Sequence, residues 1–154
     1  ALFASTATWL ARNDRCSDHS PPPPALSAHR MPERGPDFTD RQRVRPEQAA
    51  LYRLLGDRNP LHIDPAAAAA GGFGEPVLHG LCTSGIACRS VLKTVCNYDP
   101  TLIKSLSQRF TAPVVAHDEL LTEMWQDGAV ISFRVSAVQR DTIVVDNGCA
   151  VLME

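Results

Sequence analysis

The stretch GDRNPLHID (56–64) gathers polar and titratable side chains into a loop that is broken by proline. Asp57, Asn59, His62 and Asp64 lie within eight positions of one another. A carboxylate and an imidazole five positions apart in such a loop can face one small volume. General acid–base chemistry on a bound water requires two groups that exchange protons and a neighbour that orients the reactants. Because an asparagine amide donates and accepts at constant charge, the stretch favours acid–base catalysis.

Two other interpretations of this stretch stay open. Asp and Asn side chains favour turns and helix caps, because they hydrogen-bond to nearby backbone groups. Asp57, His62 and Asp64 are also possible metal ligands. No second His or Cys cluster accompanies them in the sequence, so we predict that the chain has no metal site.

A second feature is the stretch PVLHGLC (76–82), which leads into a long apolar segment. Backbone N–H groups at the start of a helix are unpaired donors in a positive field. Such donors suit an oxygen that gains negative charge during a reaction, and Gly80 would let a ligand approach the backbone closely. The alternative is that Gly80 only packs closely against a sheet. His79 taken alone is typical of a structural histidine.

The elements that must position these residues begin with helices. Pro46 suits the first turn of a helix that Gly56 ends. The alanines 66–70 predict a second helix. The apolar stretch 77–96 has few charges and predicts a helix that is buried on most sides.

The remainder of the chain predicts an antiparallel meander. Residues 130–137 alternate between an apolar set and a polar set, as in a strand with one buried face. Asp127-Gly128 predicts a hairpin turn, and Arg140-Asp141 predicts a second turn. Short helices, one buried helix and then a meander that can wrap around it indicate the α+β class.

Composition excludes several classes of protein. The chain has 154 residues, a formal net charge of -2 and 44% hydrophobic residues, so we predict no nucleic-acid binding. No apolar run is long enough to cross a bilayer. The five cysteines form no C-x-x-C pair, which favours a reducing compartment over a disulfide scaffold. The chain begins without Met and its opening lacks a basic region, so we expect a fragment or a processed chain rather than a signal peptide.

The run YRLLGDRNPLHIDP, followed by FGEPVLHGLCTSG, closely resembles the MaoC-like and type-2 (R)-specific enoyl-CoA hydratases. The shared pattern is an aromatic residue, a small-residue turn, G-D-x-N-P-L-H and then L-H-G. Here it corresponds to Tyr52, Gly56, the run 57–62 and the run 78–80. The resemblance covers about residues 46–154, and the likeness is greatest to the catalytic C-terminal half of peroxisomal-type hydratase 2 proteins.

The resemblance implies a hot-dog fold and the reversible hydration of trans-2-enoyl-CoA to (3R)-3-hydroxyacyl-CoA in lipid metabolism, without metal or redox cofactor. It implies that Asp57 and His62 activate the water and transfer its protons. It further implies that Asn59 holds the thioester or the water, and that the Gly80 N–H stabilises the enolate oxygen. An (R)-specific hydro-lyase is therefore expected. A dehydratase that runs the same chemistry backwards, a hot-dog thioesterase and a non-catalytic acyl-CoA-binding half are the alternatives; thioesterases usually lack this motif.

The acyl-CoA substrate also has to be held. The phosphates of coenzyme A call for Arg or Lys. We predict Arg109, Arg89 and Lys104 as candidates for these contacts, and we place Tyr52 in the substrate site.

The family resemblance also predicts a division of the chain. Residues 1–36 are expected to be a remnant of a preceding unit and a linker that contains Pro21–Pro24. Residues 37–154 are expected to form the catalytic hot-dog domain, with FTDRQRV (38–44) as its first strand. We expect a homodimer or pairing with a second hot-dog half. The expected location is the cytoplasm in a bacterium or the peroxisome in a eukaryote.

Overall fold

The computed structural model of the protein describes residues 4–7 and 28–153. The proline-rich linker assigned to residues 21–24 lies outside the described residues. The strands are β1 (Phe38–Arg43), β2 (Ile103–Phe110), β3 (Glu119–Asp127), β4 (Val130–Ala137) and β5 (Thr142–Leu152). The α-helices are α1 (Gln48–Tyr52), α2 (Pro65–Ala70) and α3 (Gly80–Thr94). Short 3-10 turns cover Arg53–Leu55, Pro60–His62, Pro100–Leu102 and Val138–Arg140.

The five strands form one antiparallel sheet in the order β1-β3-β4-β5-β2. The hairpin predicted at Asp127-Gly128 is confirmed, because Asp127 pairs with Val130 where β3 turns into β4. The second turn is confirmed as well, since Asp141 has the left-handed φ of 46° between β4 and β5. The predicted first strand is β1, which pairs with β3 at one edge of the sheet. One helix against one antiparallel sheet confirms the α+β class.

The core lies between α3 and one face of the sheet. The alternation predicted for β4 is confirmed, because Ile131, Phe133 and Val135 are fully buried and belong to the core cluster. Ile86 and Val91 of α3 belong to the same cluster. Alternate residues of a strand point to opposite faces, so the apolar set of β4 faces the helix.

Helix α3 is buried on one side in this chain. Leu81 is 68% exposed, and Gly85 and Arg89 are exposed as well. The small number of charges predicted burial on most sides, but a five-stranded sheet covers only the side of the helix that faces it. The helix begins at Gly80 because the residues before it are extended: Val77 bridges to Val115 and Leu78 donates to the Val114 carbonyl.

Residues 28–37 lie against the outer face of the sheet. His29 hydrogen-bonds with Ser132 at 2.7 Å, and Trp125 Nε1 donates to the Arg34 carbonyl at 2.7 Å. Arg34 also forms an ion pair with Asp127 at 3.0 Å. The described part of the segment assigned to the linker therefore contacts the domain, and the boundary at residues 36 and 37 stays a prediction.

The described cysteines are free thiols, namely Cys82, Cys88, Cys96 and Cys149. Burial raises the pKa of each of these thiols above its ordinary value. A search of the described residues finds no helix that combines the length and the apolar character needed to traverse a membrane.

Gly148 of β5 lies where the sheet has no room for a side chain. A Cβ at this position would overlap the carbonyl oxygen and the ring of Phe133 on β4. We expect Gly148→Ala to lower the free energy of unfolding by about 1–3 kcal/mol, the usual effect of overpacking a dense core. Urea unfolding followed by circular dichroism measures the change. Gly35→Ala is the control, because a Cβ there meets nothing within 4 Å; equal midpoints for the two variants would contradict the prediction.

Candidate active site

The loop after α1 is shaped by its own side chains. Gly56 ends the turn at Arg53–Leu55 with a φ of 121°, a conformation that favours glycine. The Asn59 N–H donates to Asp57 Oδ1 at 3.2 Å, and the Leu61 N–H donates to Asn59 Oδ1 at 3.2 Å. Asn59 therefore caps the short turn that carries the catalytic candidate histidine.

Asp64 has a structural role in this chain. Its carboxylate accepts from the Ala66 N–H at 2.8 Å and caps α2. The interpretation of Asp and Asn as caps is thus confirmed for Asp64 and Asn59. Of the three residues considered as metal ligands from the sequence, Asp57 and His62 lie together and Asp64 does not belong to their cluster.

Asp57 and His62 face one another across a short gap. His62 Nε2 lies 3.8 Å from Asp57 Oδ2. The other imidazole nitrogen, Nδ1, hydrogen-bonds to the Val77 carbonyl at 2.7 Å. Because a carbonyl oxygen only accepts, Nδ1 carries the proton, and in the neutral ring Nε2 is left as an acceptor. A distance of 3.8 Å is too long for a direct hydrogen bond, so a water or hydroxyl beside the pair is within reach of both acceptors.

His79 lies directly against this pair. Its side chain is fully enclosed, with 1% relative exposure, and its Nε2 hydrogen-bonds to the Asp57 carbonyl at 3.1 Å. Its ring is stacked on His62, with the ring centroids 3.7 Å apart. Burial lowers the pKa of His79; His62 and Arg53 act in the same direction, and Asp57 opposes them. From the sequence we expected only a structural role for His79. Its position in the L-H-G motif was the signal that could have indicated its place in the site.

Tyr52 also belongs to the aromatic cluster. Its ring is tilted against His79, with the centroids 4.7 Å apart. Burial raises the pKa of the Tyr52 hydroxyl, with smaller contributions from Cys82 and Asp57. Tyr52 thus contacts His79, which in turn contacts both Asp57 and His62. A contact of Tyr52 with substrate stays a prediction.

Gly80 is the first residue of α3, beside the buried histidine. The N–H groups of Cys82 and Thr83 donate to the His79 carbonyl, whereas the N–H groups of Gly80 and Leu81 have no acceptor within the helix. Gly80 is exposed, and a Cβ there would lie 3.6 Å from the Phe110 ring. The backbone at Gly80 is therefore open to a ligand, and Gly80 also packs against a residue of the sheet. The ligand approach and the close packing that the sequence suggested for Gly80 are thus compatible.

A cavity of about 320 Å³ opens beside His62. Its walls are mainly apolar and include Val44, Ala49 and Leu78, and Glu75 is the one acidic residue that lines it. An apolar cavity next to an acid–base pair is the usual environment for the hydrocarbon part of a substrate.

The three basic residues proposed for coenzyme A lie at different distances from this site. Arg109 is exposed on β2 and directly precedes Phe110, whose ring packs near Gly80. Lys104 lies six residues before Phe110, about 20 Å along an extended strand. Arg89 lies nine residues after Gly80, about 13.5 Å along the helix, and donates to Gln42. Arg109 is thus adjacent in sequence to the residue whose ring packs near Gly80, and all three assignments stay predictions.

The residues able to surround a cation are Asp57, His62 and His79. Within the described ranges, one ligand atom from each lies within 4.8 Å of the others. His62 Nδ1 and His79 Nε2 already donate to backbone carbonyls, and a nitrogen that carries a proton cannot bind a metal. The cluster therefore offers few free ligand atoms compared with a closed tetrahedral site.

A helix against an antiparallel sheet, with an acid–base pair beside the start of that helix, defines a hot-dog domain with a candidate active site. Residues 27–148 match the family model of the MaoC like domain. The chain therefore belongs to the MaoC-like domain family.

Several known proteins are similar to this chain. It is 43% identical over 118 residues to Enoyl-CoA hydratase 2, peroxisomal, of Arabidopsis thaliana, across 77% of this chain and 38% of that protein. The structure of full-length peroxisomal multifunctional enzyme type 2 from Drosophila melanogaster matches with a TM-score of 0.82 and 39% identity, across 86% of this chain and 25% of that one. The (R)-hydratase from A. caviae involved in PHA biosynthesis matches with a TM-score of 0.62 and 25% identity, across 77% of this chain and 93% of that one.

The chain spans less than half the length of the first two of these proteins. It corresponds to most of the length of the third. One chain of this size is thus equivalent to one hot-dog unit.

The lowered pKa of His79 predicts how stability depends on pH. The folded state keeps this imidazole neutral, whereas the unfolded chain protonates it below a pH of about 6.5. The folded state is therefore destabilised as the pH falls below that value, and the loss continues down to the lowered folded pKa. We expect thermal unfolding midpoints between pH 7.5 and 5 to fall more steeply for the wild type than for His79→Phe.

The exposed His117 provides the control for this experiment. It has a φ of 69°, which asparagine adopts more readily than most residues, so His117→Asn is the matched variant. This variant should keep the slope of the wild type. Parallel slopes for the wild type and His79→Phe would show that His79 takes up a proton as readily in the folded state as in the unfolded chain.

Proposed function

We propose that this chain catalyses the addition of water to a trans-2-enoyl-CoA to form (3R)-3-hydroxyacyl-CoA. The observation that carries the proposal is the pair of proton acceptors, His62 Nε2 and Asp57 Oδ2, which lie 3.8 Å apart where His62 lines an apolar cavity. The names of the hydratase relatives support the same reaction. Both members of the pair are present, which favours a catalytic unit over a non-catalytic acyl-CoA-binding half.

In the proposed reaction the pair acts on one water. The water oxygen attacks C3 of the enoyl group, and a proton of that water passes to the pair. The C2–C3 π electrons move toward the thioester, whose carbonyl oxygen gains negative charge. The Gly80 N–H, at the positive end of α3, is the proposed donor to this oxygen. A proton returned to C2 completes the addition.

The two groups share the proton transfers. We therefore assign the proton transfers to the pair rather than to one of its residues. The reaction moves protons and a hydroxyl group and leaves no net change in electrons. We therefore propose that it needs no redox cofactor. Because the pair and the Gly80 N–H would supply the acid–base and oxyanion roles, we also propose that it needs no metal. Asn59, which caps the turn through Oδ1, is proposed to direct its amide toward the water or the thioester.

The substrate is proposed to lie across the start of α3. The apolar cavity beside His62 would take the acyl group, and Arg109 is the preferred candidate for a phosphate of coenzyme A. Lys104 and Arg89 are farther along their elements from the reacting atoms. Because any catalyst of hydration also catalyses the reverse step, a 3-hydroxyacyl thioester dehydratase is the same site working in the other direction.

A second hot-dog unit is proposed as the partner, either another copy or a preceding half of a longer protein. Leu81 at the start of α3 and Phe110 at the end of the edge strand β2 are exposed apolar side chains near Gly80. Burial of such side chains stabilises association. The names of the peroxisomal relatives support a peroxisome in a eukaryote, and the cytoplasm is the location that we propose in a bacterium.

We expect Asp57→Asn and His62→Ala each to lower turnover by about 10²–10⁴-fold, the usual contribution of a positioned acid or base. The assay follows the loss of enoyl-thioester absorbance with trans-2-enoyl-CoAs of several lengths, with chiral analysis of the product. Formation of the (3R) alcohol by the wild type is the expected outcome.

Asp64→Asn is the matched control for Asp57→Asn. Asparagine caps a helix as well as aspartate does, so α2 is retained and turnover should stay near that of the wild type. Circular dichroism shows whether each variant is folded. A folded Asp57 or His62 variant with normal turnover would remove that residue from the mechanism.

The proposed partner predicts that activity depends on association. We expect specific activity to rise with protein concentration over the same range in which sedimentation shows association. Leu81→Glu would place a charge at the proposed contact and should weaken association. A chain that sediments as a monomer and retains full activity would contradict the need for a second unit.

A further inference from the structure

His79 is a buried imidazole at the centre of the site, and the proposed proton transfers do not use it. It is the largest buried polar side chain beside the Asp57 and His62 pair. Its ring touches the backbone of one member and the ring of the other. A buried polar group costs free energy unless its interactions compensate for its desolvation, so its position calls for an explanation.

We propose that His79 is a positioning residue, which sets the distance and orientation of Asp57 and His62 by staying neutral between them. The proposal rests on the hydratase function proposed above. It assigns His79 no contact with substrate.

His79 first acts on the loop that carries Asp57. The Asp57 carboxylate is 53% exposed, and it lies in a loop directly after a flexible glycine. The side chain of Asp57 accepts from the Asn59 N–H, which is only two residues away. The hydrogen bond from His79 Nε2 to the Asp57 carbonyl, 3.1 Å, spans 22 residues and connects this loop to the start of α3. It is thus a long-range tether on the backbone that carries the carboxylate.

The surroundings of the two ring nitrogens determine where His79 carries its proton. Because the Asp57 carbonyl only accepts, His79 Nε2 must carry a hydrogen. Among the described residues, the other nitrogen, Nδ1, is buried and has no hydrogen-bond partner. A proton on Nδ1 would create a buried N–H without an acceptor and a cation 3.7 Å from the centre of the His62 ring. Both effects oppose protonation, so His79 remains the neutral Nε2–H tautomer.

His79 also orients the ring of His62. A neutral ring stacked on one face of His62 fixes the plane of that imidazole without adding a charge. The Nδ1–H bond to the Val77 carbonyl fixes its rotation within the plane. The two contacts together aim Nε2 at Asp57 Oδ2. His62 is thus the imidazole of the site whose free nitrogen faces the carboxylate.

Two variants separate these contributions. His79→Phe keeps an aromatic ring against His62 but loses the donor to Asp57. His79→Gln places an amide N–H near the position of Nε2 but loses the stacked ring. A reacting geometry that shifts by about 1 Å can cost about 100-fold in rate, so we expect kcat of His79→Phe to fall about 10–100-fold. KM should change less than about threefold, because the distance between reacting groups governs the chemical step.

The glutamine variant tests the tether. We expect its kcat to exceed that of His79→Phe by about tenfold, because the hydrogen bond to the Asp57 carbonyl is restored. Turnover is expressed per folded molecule, with folding measured by thermal unfolding. A merely structural role would lower stability in both variants and leave kcat per folded molecule unchanged, and that result would overturn the proposal.

Nitrogen-15 NMR of the histidine rings tests the proposal without any assay of activity. We expect His79 in the wild type to show the Nε2–H tautomer at neutral pH and to take up a proton only at a lower pH than a free imidazole does. We expect the His62 ring signals to shift in His79→Phe. An imidazolium or an Nδ1–H tautomer at His79, or His62 signals that do not change in the variant, would overturn the proposal even if kcat falls.

The two readouts keep this proposal distinct from the proposed function. Absence of turnover in the folded, associated wild type would contradict the hydratase, and the NMR results would still decide the role of His79. If His79→Phe does not fold, the wild-type tautomer and the kcat of His79→Gln decide it.

Discussion

The hydrogen bond from His62 Nδ1 to the Val77 carbonyl, 2.7 Å long, is the contact on which the site depends. It determines which imidazole nitrogen bears the proton and which is free to act as a base. Val77 is itself held by its bridge to Val115, and the next residue donates to the Val114 carbonyl. The loop that carries the acid–base pair is in this way connected to backbone that leads into the sheet. A polar loop without secondary structure of its own thereby acquires a defined orientation.

The two histidines of the site differ in their exposure to solvent. His62 lies at a cavity wall with 11% of its side chain exposed, so a proton can reach it. His79 is enclosed and one of its nitrogens has no partner in the described part of the chain, so protonation there is opposed by desolvation. Two stacked imidazoles that could both become charged would repel one another. Burial of one of them removes that conflict and leaves a single basic nitrogen opposite the carboxylate.

The position of α3 relates the site to the assembly. Gly80 has an accessible backbone at the start of the helix, and the exposed apolar side chains of Leu81 and Phe110 lie close to it. A ligand at the helix start would thus meet both the N–H donors of this chain and whatever covers these side chains. The relatives in which this chain corresponds to one part of a longer protein have additional polypeptide. The same surface that offers donors to a ligand is therefore the surface where a second hot-dog unit would complete the binding site.

The sequence by itself determined the local part of this protein. Proline and glycine positions, the alternation in β4 and the Asp57 to His62 spacing depend on neighbours along the chain, so patterns of residues were sufficient to predict them. Tertiary structure decided what depends on residues far apart. It brought His79 into contact with Asp57 across 22 residues and left one side of α3 exposed. No spacing rule reports these outcomes, because the packing of a loop against a helix start depends on the whole sheet. The local sequence indicated the candidate acid–base pair, and long-range packing set its geometry.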